Sequence, residues 1–158
     1  MGTSGGLAHL LAVASGQTYN RWFKFTILSW LPYALSFALL PTAILLGAGS
    51  ADPWRLAPVG ALLGIAAHLT NVVGDIDGDL RTGVHGFPQR IGARPSTYLA
   101  IALLVIVAIL LFSDLRLIVA LTVAATSLAL LPPRRPLFVG LMALAALDVV
   151  LLLGSLHS

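Results

Sequence analysis

Apolar residues in this chain come in long runs separated by short polar connectors. The runs cover residues 27–49, 56–73, 96–113, 117–131 and 137–155, and each approaches or reaches the roughly 20 apolar residues that a helix needs to cross a bilayer. They are too long and too numerous for one soluble core. The pattern therefore predicts an all-α fold, a polytopic transmembrane bundle of about five to six helices forming a single membrane domain over 1–158. A further stretch, "GLAHLLAVASG", makes residues 1–16 a partial helix; no basic residue precedes it, as a signal peptide would require. Pro53, Pro58, Pro132, Pro133 and Pro136 mark helix ends, whereas Pro32 and Pro41 fall inside the 27–49 run and should kink it.

Composition supports the same picture. The chain is 58% hydrophobic and 9% charged, against about a quarter charged residues in soluble domains. It has no cysteine, hence no disulfide framework and no thiolate metal site. A pI near 10.0 would suit nucleic acid, but the nine basic residues are scattered through the connectors rather than clustered or aligned on a helix face. Nucleic acid is not an expected partner. Arg21 and Lys24 lie in the 17–26 connector, Arg81, Arg90 and Arg94 in 74–95, and Arg134 and Arg135 in "PPRRP". These connectors fall on one side of the bilayer, leaving only Arg55 and Arg116 on the other, so the positive-inside rule makes the first set cytoplasmic. The expected location is a bacterial plasma membrane.

The 74–95 connector also holds most of the chemistry. The chain has six acidic residues, none of them glutamate, and Asp75, Asp77 and Asp79 fall within five positions. If the helix beginning near Leu56 continues through them, Asp75 and Asp79 share a stripe with His68 or Asn71, while Asp77 points elsewhere. Like charges one turn apart repel, so a cation should offset them. Magnesium suits the donors, since it binds through one or two carboxylates together with substrate phosphate oxygens. Two other readings stand beside this one. "DIDGD" opens like a calcium loop of the EF-hand type, but Leu80 and Gly86 occupy the positions where that loop wants Gly and Glu. A solvated polar loop would carry the same residue types.

The run "NVVGDIDGDLRTGVHGFPQRIG" resembles the second aspartate-rich motif of the UbiA superfamily of intramembrane prenyltransferases: Asn71, Asp75, Asp79, Gly83, Arg90 and Gly92 fall on its pattern without a gap. Upstream, "YNRWFKFTILSWLPYALSFALLP" is similar to the segment in which a Tyr precedes a basic residue at a helix start, with Tyr19 and Lys24 in those places. The resemblance implies a helical membrane enzyme, usually of nine transmembrane helices, that transfers a polyprenyl group from its diphosphate to an acceptor, often aromatic. It implies Asp75 and Asp79 as magnesium ligands, Asn71 and Asp77 as supporting polar groups, and Lys24, Arg81 and Arg90 as contacts to the diphosphate, Arg matching phosphate bidentately. Tyr33, Phe37 and Trp30 are candidates to face an allylic cation.

The family's first aspartate motif, expected before the Tyr and Lys segment, is absent, since residues 1–16 contain no Asp or Glu. The expectation is that this is a piece of a longer protein, that a partner chain supplies the other half of the site, or that it is a homologue without turnover. The alternative function is a non-catalytic membrane subunit or transporter-like protein with solvated aspartates. Asp148, deep in the last apolar run, is a further candidate. His68 reads chiefly as a packing residue and His85 as solvated. Asp114 and Arg116 flank an outer turn.

Overall fold

The computed structural model describes residues 2–111. The runs 117–131 and 137–155 lie outside the described residues, as do Asp114, Arg116, Arg134, Arg135 and Asp148. Among the described residues the chain is all helix, with four long helices, α1 (Thr3–Arg21), α2 (Leu31–Gly47), α3 (Ala57–Val73) and α6 (Ala93–Leu111), and two short ones, α4 (Ile76–Arg81) and α5 (Phe87–Ile91). A single 3-10 turn, Phe23–Phe25, leads from α1 toward α2.

Each long helix packs on its neighbour in sequence: α1 on α2, α2 on α3, α3 on α6. The first two contacts are antiparallel and unusually close. At Gly60 a Cβ would collide with the Phe37 carbonyl, and at Gly64 with the Tyr33 carbonyl, so α3 offers bare backbone to α2. Gly5 does the same for α1, its Cβ position lying 2.9 Å from the Ala43 carbonyl oxygen. Small residues at such spacing let two helix backbones approach closely. Two reciprocal hydrogen bonds fix the α1–α2 register: Ser15 Oγ donates to the Pro32 carbonyl (3.1 Å) and Ser36 Oγ to the Ala12 carbonyl (2.8 Å).

The interior is correspondingly small-grained. Ala8, Ala12, Ala34, Ala43, Ala66, Ala67, Ala100 and Ala108 are buried, whereas Leu7, Leu10, Leu11, Ile44, Ile109 and Leu110 are exposed. A larger contact, Leu69 with Ala66 and Ala100, joins α3 to α6, flanked by Phe87, Leu103 and Leu104. Among the described residues one helix, α6, is long and apolar enough to cross a membrane, with mean hydropathy 2.1 over its best window; α2 and α3 are apolar and shorter.

Two details differ from the sequence expectation. Pro32 sits in the first turn of α2, where the missing N–H has no intrahelical partner to lose, so it starts the helix instead of kinking it; Pro41 alone lies in the interior. The helix that begins at Ala57 does not continue through the aspartates. It stops at Val73, and the Asp75 N–H bonds to the Val72 carbonyl (2.9 Å), three residues back rather than four. Asp75 takes φ −122°, ψ 7°, outside the helical region, and becomes the N-cap residue of α4. The Asp75 side chain makes no capping hydrogen bond, but acid in the first turn with Arg81 in the last complements the dipole of the short helix. The 74–95 connector is thus folded into α4, α5 and the first turn of α6. Between α5 and α6, Gly92 has φ +88°, a conformation for which glycine has no steric penalty.

Candidate functional site

The antiparallel packing brings the 22–30 connector and the α4–α5 segment to the same end of the helices. Ser29 joins them. Its buried Oγ accepts the Phe87 N–H (2.9 Å) and lies 3.0 Å from Nε2 of His68 on α3. His68 is wholly buried and packs against two tyrosines, with ring centroids 4.9 Å from Tyr33 and 5.4 Å from Tyr19. Tyr19 and Tyr33 meet edge to face at 5.2 Å. His68 is therefore a packing residue here, with Nδ1 buried and unpartnered among the described residues.

Asn71 is the exposed residue in an otherwise buried run, 66–73. Its Nδ2 lies 3.5 Å from the Tyr33 hydroxyl, at the outer limit of a hydrogen bond. The break at Gly74–Asp75 takes Asn71 off the helix that carries Asp79. Asp75 and Asp79 remain one turn apart, since the Asp79 N–H bonds to the Asp75 carbonyl (2.8 Å). Asp75 and Asp77 are exposed, and Asp79 is half-buried. On the Asp79 carboxylate, Oδ2 accepts a hydrogen bond from Gln89 Nε2 at 2.6 Å.

Tyr19 stands in the last turn of α1, beyond the apolar run. Its phenol is pushed up to about 12, by burial first, then by Tyr33 and the nearby Asp79 charge. It is a neutral hydroxyl at physiological pH, beside the aspartate helix.

The basic candidates are less convergent. Lys24 Nζ lies 5.1 Å from the Phe25 ring centroid. Arg90 is exposed and its Nε donates to the His85 carbonyl (2.9 Å). Arg81 is exposed at the end of α4. Of the aromatic candidates, Tyr33 joins the His68 cluster, while Phe37 is exposed and Trp30 half-buried.

The structure thus gathers Tyr19, Tyr33, Asn71, Asp75 and Asp79 at one end of the helix layer. Two residues sequence reasoning passed over, Ser29 and Gln89, hold that end together. Ser29 is one of several hydroxyl residues in the 27–49 run, with Tyr33, Ser36 and Thr42, so nothing singled it out; Gln89 had no signal beyond being the amide in "FPQRI". Among the described residues no group of three or more His, Cys, Asp or Glu side chains is placed to hold a metal. Two carboxylates one turn apart do not form a cage, but they suit an ion that also takes phosphate oxygens and waters. No known family model, curated protein or solved structure matches this chain.

Proposed function

We propose that this chain is a polytopic membrane protein of the UbiA prenyltransferase type, binding the magnesium complex of a polyprenyl diphosphate at Asp75 and Asp79. The observation that carries the reading is the placement of an acid-rich helix at one end of a helix layer that exposes large apolar side chains. Alanine is the commonest buried apolar residue, beside Leu69, Val72, Val73 and Val107, while Leu10, Leu11, Ile44, Ile109 and Leu110 face outward. A headgroup site beside surfaces suited to hydrocarbon matches a ligand with a charged head and an isoprenoid tail. Glycine-lined contacts and serine-to-carbonyl bonds between helices are the packing devices of membrane bundles. The resemblance over residues 71–92 supplies the chemistry.

In this reading Asp75 and Asp79 hold the ion, Asn71 and the neutral Tyr19 hydroxyl offer hydrogen bonds nearby, and Arg81, Arg90 and Lys24 approach the diphosphate. Magnesium, when bound, stabilises the charge that develops on the leaving diphosphate. The allylic carbon–oxygen bond breaks, diphosphate departs, and a lipophilic or aromatic acceptor bonds to the carbon and gives up a proton. A partner chain, or a further part of a longer protein, would complete the metal site.

A second reading has its own observation. The first-turn aspartates and last-turn Arg81 of α4 are the charge pattern a short solvated helix favours, which a non-catalytic or transporter-like membrane subunit would share. Limited proteolysis of the 74–95 segment separates the two. Protection by farnesyl diphosphate with magnesium, absent with either alone and lost in Asp75→Asn, supports the prenyl diphosphate site. Indifference to both ligands supports the second reading, and intact protection in Asp75→Asn sinks the metal assignment.

A further inference from the structure

Gln89 is buried, with 7% of its surface exposed. Its Nε2 donates to Asp79 Oδ2 at 2.6 Å, while its Oε1 is buried without a hydrogen-bond partner among the described residues. A carboxylate only accepts, so the amide is oriented with nitrogen toward Asp79, and the carbonyl is the end left over. Burying an unpaired carbonyl lowers stability. A methionine or leucine would fill the same space without that loss, so packing alone does not account for an amide here.

The element carrying Gln89 is itself held. The Phe87 N–H at the start of α5 bonds to Ser29 Oγ, which also meets His68. Gly86, just before, lies so close that a Cβ there would come within 2.8 Å of both Gln89 Oε1 and Ser29 Oγ, and 3.0 Å of the Lys24 carbonyl oxygen. The chain thereby brings a buried donor, on a fixed helix, to one oxygen of the half-buried aspartate.

We infer that Gln89 is a positioning residue for Asp79: it anchors Oδ2 from the buried side and so sets the direction in which the carboxylate meets a cation. This rests on the magnesium–diphosphate reading of Asp75 and Asp79. Gln89 does not touch the ion; it acts through the carboxylate.

The test is calorimetric titration of the detergent-solubilised full chain with magnesium in the presence of inorganic diphosphate, with the unliganded thermal midpoint read in parallel. Gln89→Met, which keeps the volume and removes both the orphan carbonyl and the bond to Asp79, effects that offset each other, should leave the midpoint near the wild-type value while weakening magnesium binding by about tenfold, the lower end for loss of a residue that orients a metal ligand. A merely structural Gln89 would move the midpoint instead. If Gln89→Met fails to fold, Gln89→Asn, one methylene short of Asp79, is judged by the same titration. Unchanged or tighter binding in the folded variant overturns the role of Gln89 alone. No magnesium-dependent diphosphate binding by the wild-type chain overturns the site reading and the role of Gln89 with it.

Discussion

Ser29 and His68 are 39 residues apart in sequence and 3.0 Å apart at Oγ and Nε2, and the same Oγ receives the backbone N–H of Phe87. One hydroxyl therefore ties the α1–α2 connector, the middle of α3 and the start of α5. Ser29→Ala leaves a buried N–H and a buried ring nitrogen without partners, at a cost of about 1–3 kcal/mol for an unsatisfied group. Thermal unfolding in detergent should show that loss. Adding His68→Phe, which removes one of the orphans and keeps a ring against Tyr33, should make the double variant more stable than the sum of the single losses predicts; strict additivity would mean the two residues are not coupled.

The α2–α3 contact predicts a sharp contrast among glycines. Gly64→Ala drives a methyl group into the Tyr33 backbone and should destabilise by about 1–3 kcal/mol, the range for overpacking. Gly78, inside α4, has nothing within 4 Å of its Cβ position. Gly78→Ala should stabilise by about 0.5–1 kcal/mol through helix propensity. Equal midpoints for the two variants would contradict the close approach of α2 and α3.

Within the aspartate cluster, the proposed function separates Asp79 from Asp77. Asp79→Asn should abolish magnesium-dependent protection of the 74–95 segment by farnesyl diphosphate, whereas Asp77→Asn should weaken it only a few-fold. Equal losses would point to a general electrostatic effect rather than to ligands.

Tyr19 provides a pH signature. Its folded-state value, about 12, lies above the ordinary phenol value of 10.0, so the folded protein keeps a proton that the unfolded chain releases. The associated stability is complete below pH about 10 and is lost as pH rises toward 12. Ultraviolet titration should resolve a tyrosinate forming near 12 that Tyr19→Phe lacks. If the component lost in that variant instead titrates near the ordinary phenol value of 10.0, Tyr19 lies in water.

The long helices were legible because apolar run length directly reports the need to bury or hide helical backbone from water, and α2, α3 and α6 fall within the 27–49, 56–73 and 96–113 runs but for the first turn of α6. The stop at Val73 was less so. Nothing in hydropathy separates a helix that continues through Asp75 from one that restarts there, since helix-capping and helix-stripe readings use the same aspartates. Pro32 shows a related ambiguity: the same residue kinks a helix interior or opens a first turn, and only the true start decides. The close glycine contact was visible in the Gly60–Gly64 spacing, a small-residue signal that run length alone does not use. The Gln89–Asp79 bond depends on how α5 folds back beside α4, a tertiary outcome with no local cue.

Where α3 meets α2 at Gly60 and Gly64, backbone of one helix lies directly against backbone of the other. Contact that close leaves little room for the two helices to press or tilt further together there, so they should move largely as one unit. Movement of the aspartate-bearing segment relative to that unit would then concentrate where helical hydrogen bonding is already interrupted, at Gly74 and Asp75. If Asp75 and Asp79 hold a cation as proposed, Asp75 would be pivot as well as ligand, and the ion would splint the hinge from one side.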